Sequence, residues 1–176
     1  FKVRVPLAYI KSILAVLGME NCKPAASPYL TTNTCDDGMV GREHEEFGRE
    51  EHSKFRTGVD KLIFSKNILI TLRFNIKKLA EKMSKPTQLD FHELKKTFRY
   101  LRSLENMWLH MEVNTDFESL RFVDSFSDTE WAAEETTRKS VSAAECFVSN
   151  FHLGGYCRNQ SVVAQSSGES EYYGVG

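Results

Sequence analysis

The spacing of apolar residues changes once along the chain, near Asn106, and that change limits what it can fold into. Before Asn106 the apolar residues recur at the spacing of an amphipathic helix; after it they alternate, as a half-buried strand requires. Helices followed by strands, rather than the two interleaved, place the chain in the α+β class, with a helical first half and a partial antiparallel meander behind it.

In the first half, residues 8–19 read as a helix, with Ile10, Ile13, Leu14 and Leu17 on one stripe and Gly18 as its stop. Residues 21–41 gather Pro24, Pro28, Asn33, Asp36, Asp37 and Gly38 and read as a linker. The acidic run that follows is expected to stay solvated until about Glu50. Helical spacing returns over residues 51–83. Phe55, Val59, Leu62 and Ile63 form one stripe and Leu72, Ile76, Leu79 and Met83 another, with a break expected near Asn67. The piece between the stripes suits a helix or a buried strand. Residues 84–87 make a turn, and Thr87 caps a helix over residues 88–104 with Asp90 in its first turn. That helix has Phe91, Leu94, Phe98 and Leu101 on one face and Lys95, Lys96, Arg99 and Arg102 on the other.

In the second half, strands are expected from Asn106 through Val113 and over residues 120–127, 143–149, 156–160 and 161–165. Gly154-Gly155 marks a tight turn between them. Ser166 or Ser167 caps a last helix whose beginning carries Glu169 and Glu171. Residues 1–50, 51–105 and 106–176 thus form three successive regions.

Bulk properties exclude little. A formal net charge of -1 gives no global attraction to nucleic acid, so any such contact needs a local patch. The basic stripe of helix 88–104 is such a patch; a solvated helix face is the favoured reading of it, a phosphate-tracking face the other, and spacing alone does not choose. The four cysteines, Cys22, Cys35, Cys146 and Cys157, have no CxxC pairing and read as reduced thiols of a cytoplasmic or nuclear protein. No apolar run is long enough for a membrane span, and no signal peptide opens the sequence. The chain starts at Phe1, which suggests a piece of something longer.

Two acidic clusters stand out, Ser127-Asp128-Thr129-Glu130-Trp131 and Ser167-Gly168-Glu169-Ser170-Glu171-Tyr172. With their flanks they read FSDTEWAAEETTRKSVSA over residues 126–143 and AECFVSNFHLGGYCRNQSVVAQSSGESEYYG over residues 144–174. This resembles the start of the RNase H domain in copia-type retrotransposon Pol polyproteins. There an aromatic-Ser-Asp-Ala-Asp-Trp-Ala-Gly stretch precedes Thr-Arg-Lys-Ser-Thr-Ser-Gly, then Ser-Arg-x-Gln and Ser-Ser-Gly-Glu-Ala-Glu-Tyr-Tyr-Ala. Upstream, YIKSILAVLGMENCKPAASP (residues 9–28) is similar to the end of the family's reverse transcriptase region. FRTGVDKLIF (55–64) and LAEKMSKPTQLDFHELKKTFRYLRS (79–103) are similar to the connecting segment.

The resemblance implies a truncated RNase H-like domain over residues 106–176, whose ancestral activity is magnesium-dependent hydrolysis of RNA in an RNA–DNA hybrid. It implies Asp128 and Glu171 as catalytic metal ligands, with Glu169 as the alternative to Glu171. Carboxylate oxygens suit a hard Mg2+, and two such ions about 4 Å apart stabilise both the attacking and the leaving oxygen. The family's remaining two acidic ligands are expected beyond the end of this sequence, so the chain is expected to be inactive alone. Its implied partners are an RNA–DNA hybrid or other nucleic acid and the rest of a Pol polyprotein. Departures from the family pattern include Glu130 for Asp, Ala133 for Gly, Val141-Ser142-Ala143 for Thr-Ser-Gly, and Gly174 for the closing Ala. They read as drift under little selection. A different class of function remains open, a non-catalytic nucleic-acid-binding or structural remnant that uses Lys95, Lys96, Arg99 and Arg102. So does an unstable pseudogene product with an exposed strand edge.

Overall fold

A computed structural model describes residues 1–29, 48–112, 121–134 and 136–175. The fold is α+β, as the change of period implies, and the chain divides into two compact units: residues 4–108, and residues 1–3 together with 109–176.

The first unit is helical. Helix α1 (Leu7–Leu14) runs through a 3-10 turn to Gly18, whose φ of 64° lets the chain close. Met19 N–H reaches back to the Leu14 carbonyl at 2.9 Å and Gly18 N–H to Ala15 at 3.2 Å, a Schellman ending at the glycine the sequence marks as a stop. Helix α2 (Arg49–Ser65) starts within the acidic run, slightly before the expected position, with Glu50 and Glu51 in its first turn, where carboxylates suit the helix dipole. The earlier part of that run, and most of the linker, fall outside the described residues.

The chain breaks after Ser65, close to Asn67, and resumes in a 3-10 turn and α3 (Arg73–Glu81). The ambiguous piece between the two apolar stripes is therefore a helix end and a turn, not a strand. Helix α4 (Gln88–Ser103) begins in a capping box: Thr87 Oγ1 accepts from Asp90 N–H, and Asp90 Oδ2 accepts from Thr87 N–H at 2.7 Å. Ile10, Phe55, Leu62, Leu79, Leu94 and Phe98, all at most 1% exposed, share one core across α1 to α4. Gly58 of α2 lets α4 approach; a Cβ there would lie 3.0 Å from Phe98 Cζ.

The second unit is a sheet with one helix. Strand β1 (Lys2–Val3) pairs antiparallel with β2 (Leu109–His110). The strand expected from Asn106 through Val113 thus shrinks to β2, with an isolated bridge from Glu112 to Asn150. The main sheet has the order β3-β4-β5, all antiparallel: β3 (Val123–Glu130), β4 (Val141–Val148) and β5 (Phe151–Asn159).

Two expectations fail here. Gly154-Gly155 is not a turn, and strands 156–160 and 161–165 are not separate elements. Val148 pairs with Phe151, so the reversal is the two-residue loop Ser149-Asn150, with Ser149 at φ 56°. Cys146 pairs with Gly154 and Phe147 with His152, which leaves Leu153 as an extra residue. The glycine pair therefore sits at a β-bulge inside β5. Residues 161–165 are a loop, anchored where Trp131 Nε1 donates to the Ala164 carbonyl at 3.0 Å. Helix α5 (Ser167–Val175) follows. Among the described residues, no helix is long and apolar enough to cross a membrane.

Candidate functional site

Helix α5 packs on β3, and the contact selects one face of the sheet. Ser170 and Gly174, four residues apart and both buried, form the inward line of α5. Gly174 lies against Thr129 and Ser142, which are register partners on β3 and β4. Neighbours on a strand point to opposite faces. Asp128, one residue before Thr129 and paired with Ala143, therefore belongs to the face away from α5. That face also carries Phe126 and Phe147, with ring centroids 5.9 Å apart, and His152, whose Nε2 lies 2.7 Å from Glu145 Oε2.

The carboxylates singled out in the sequence have different surroundings. Asp128 is exposed, and its Oδ1 accepts from Thr129 N–H at 2.9 Å. Glu171 is exposed on α5, one position from the buried Ser170. Glu169 caps the start of α5: its Oε2 accepts from Gln165 N–H at 2.8 Å, while its own N–H donates to Ser166 Oγ at 3.1 Å. The cap is therefore Ser166, and Glu169 Oε1 accepts from the Tyr173 hydroxyl at 2.9 Å. That bond, and the negative charge behind it, push the Tyr173 phenol above its ordinary pKa. Both oxygens of Glu169 thus have structural partners.

A preorganised magnesium site needs several oxygens aimed at one point. Among the described residues no three His, Cys, Asp or Glu side chains form such a group. Asp128 is turned from the face that α5 covers, and Glu169 is occupied. These residues do not fit a built two-metal centre.

The basic stripe of α4 is also partly committed. Arg99 Nε donates to the Lys23 carbonyl at 3.0 Å, and the Arg99 carbonyl accepts from Ala25 N–H. Arg102 is ion-paired with Glu105, and Lys95 lies 4.7 Å from the centre of the Phe91 ring. Lys96, half-buried, completes the stripe. The same arginines lie near Cys22 and act against the burial that raises its thiol pKa. Cys22, Cys146 and Cys157 are in no disulfide among the described residues; Cys35 lies outside them.

Sequence reasoning missed the polar cluster beside α5. Gln160, 7% exposed, donates through Nε2 to Ser142 Oγ at 2.9 Å and to the Ser170 carbonyl at 2.8 Å, joining β4 to the helix. Because a carbonyl can only accept, the bond to Ser170 fixes which end of the amide is nitrogen. A cavity of about 350 Å³ opens beside it, lined by Ser142, Tyr156, Arg158, Gln160 and Tyr173 among others. The Arg158 guanidinium sits over the Tyr156 ring, 4.6 Å from its centre. The one available signal was the Gln of the Ser-Arg-x-Gln motif, which stands where a strand is leaving the sheet.

No known protein-family pattern matches the chain, and no solved structure matches it. A curated protein of Arabidopsis thaliana, called "Uncharacterized mitochondrial protein AtMg00810", is 26% identical over 165 residues, which is 93% of this chain. The chain spans just under two thirds of that relative's length, 64%.

Proposed function

We propose that the chain is a piece of a retrotransposon-type Pol polyprotein of the copia class. It would comprise the tail of the reverse transcriptase region, the connection, and the first part of an RNase H-like domain. The observation that carries this reading is the order of elements. A three-stranded antiparallel meander bears Asp128 on its first strand, and a helix bearing Glu171 follows and packs on that same strand. The family motifs fall on these elements in the same order: the Ser-Asp stretch on β3, the Gln at the end of β5, the Ser-Ser-Gly-Glu run at the start of α5. The likeness to the Arabidopsis protein also runs through nearly the whole chain rather than one segment.

The ancestral activity on this reading is hydrolysis of the RNA strand of an RNA–DNA hybrid, with Mg2+ as the cofactor. The present chain does not perform it alone. Asp128 and Glu171 are the residues that descend from metal ligands, but among the described residues no third such side chain joins them, and Asp128 lies on the face away from α5. Without oxygens fixed in advance, the electrostatic stabilisation that drives such a reaction is lost. The reading as a duplex-binding remnant through Lys95, Lys96, Arg99 and Arg102 is weaker, because Arg99 and Arg102 already hold the protein's own groups.

Incubating the chain with labelled RNA–DNA hybrid and magnesium tests the inactivity, and no cleavage above background is expected. Cleavage that disappears in Asp128→Asn would overturn it. The kinship is tested by the coding DNA on either side, where a polymerase Asp-Asp motif should precede this segment and further acidic motifs should follow. Flanks with neither would remove the reading.

A further inference from the structure

The cavity between the end of β5 and α5 has a chemistry of its own, and the inference drawn from it is independent of the retrotransposon reading. Its lining contains no acidic residue and one fixed cation, Arg158. Among the described residues no carboxylate pairs with that guanidinium; it lies over the Tyr156 ring, 4.6 Å from the centre. A planar cation held flat on a ring loses little freedom when it binds an anion, and its donor edge stays open. Ser142 Oγ, in the wall, accepts from Gln160 Nε2 at 2.9 Å, so its own hydrogen is free to donate elsewhere. Gln160 Oε1 is a buried acceptor with no partner among the described residues.

The rim is aromatic. Tyr173 is 41% exposed and lines the cavity. Its hydroxyl is held by Glu169 at 2.9 Å, which fixes the ring. A volume of about 350 Å³ falls in the range of small-molecule sites and exceeds what a lone ion fills.

We propose that this cavity binds a nucleotide, with the phosphate on Arg158 and the base against the Tyr173 ring. Guanidinium is suited to phosphate oxygens, and an exposed aromatic face stacks any base. A free nucleotide and the terminal nucleotide of a strand share this chemistry.

The test uses the full chain, titrated by two-dimensional NMR with inorganic phosphate, adenosine, adenosine 5′-monophosphate and a short 5′-phosphorylated oligonucleotide. Shifts confined to the cavity residues are expected for the two phosphorylated nucleotides, with much weaker binding of adenosine. Arg158→Gln, at a solvent-exposed position, should fold with an unchanged amide spectrum elsewhere and bind the monophosphate at least about tenfold more weakly, the effect of losing a charge-assisted hydrogen bond. Tyr173→Leu should weaken the monophosphate but not inorganic phosphate. Equal affinity for the monophosphate and the oligonucleotide assigns a free nucleotide; preference for the oligonucleotide assigns a strand end. Unchanged binding in Arg158→Gln, or inorganic phosphate binding as tightly as the monophosphate, overturns the assignment. So does a lack of any response at millimolar monophosphate.

Discussion

A Cβ placed on Gly174 would collide with the hydroxyl oxygen of Thr129. The helix and the strand meet so closely at this point that a threonine at 129 leaves no room for a Cβ at 174. Glycine within a helix costs roughly 0.5–1 kcal/mol against alanine, so its presence in α5 needs a reason, and Thr129 supplies it. The family pattern that the sequence resembles has alanine at both positions. Here the larger Thr129 and the smaller Gly174 stand against each other.

Gly174→Ala should therefore destabilise the second unit by about 1–3 kcal/mol, the usual range for overpacking. Thr129→Ala should cost little, since Thr129 Oγ1 is buried without a partner among the described residues. Thr129→Ala combined with Gly174→Ala should recover most of the loss. Amide exchange of β4, read for all three variants, measures the coupling. Additive losses would show that the two residues do not share this space.

Gln160 is the second constraint on α5. It donates to Ser142 Oγ and to the Ser170 carbonyl from a buried position. Gln160→Leu keeps the bulk and removes both donors, so that Ser142 Oγ loses its bond to the amide and the Ser170 carbonyl keeps only its partner within the helix. The expected cost is about 1–3 kcal/mol, seen as faster exchange at the end of β5 and through α5. If those amides keep their protection, the helix is held by packing alone.

How much of this was readable beforehand depends on whether a signal is local. The Thr87–Asp90 capping box and the Gly18 ending were legible, because each depends on residues within a few positions. The stripes of α2, α3 and α4 were legible because all face one core. Gly154-Gly155 misled: two glycines favour a turn locally, but the pairing of Val148 with Phe151 had already reversed the chain and turned them into a bulge. Residues 161–165 misled because Val162 and Val163 look like strand residues, yet they are about half exposed in the loop before α5. The acidic residues were legible as a composition but not as a geometry. Only the register of β3 against β4, with α5 on the Thr129 side, sends Asp128 to the other face.

The Tyr173–Glu169 pair gives a pH prediction with a definite sign. The bond and the neighbouring charge favour the protonated phenol, so its folded pKa lies above the unfolded value of about 10. The contribution to stability is complete below that unfolded value and is lost as pH rises through the higher folded one. Ultraviolet titration should show both Tyr173 and the burial-shifted Tyr9 ionising later than an exposed phenol, and Glu169→Gln should bring only Tyr173 back toward the ordinary range. If Tyr173 stays late alongside Tyr9 in Glu169→Gln, its shift is owed to another residue.

Among the described residues strand β3 lies at the edge of its sheet, with Val123 60% and Phe126 65% exposed. An open edge carrying apolar side chains invites pairing with another chain, and a lysine on such an edge opposes it. The protein should self-associate with rising concentration, as light scattering would register. Val123→Lys should reduce that association. Because Val123 is exposed at the end of the strand, the change should alter stability by less than about 0.5 kcal/mol. Association that continues unchanged in Val123→Lys would move the sticky surface elsewhere, with the exposed Phe64 of α2, beside Tyr9 at 5.6 Å between ring centroids, as the next position to change.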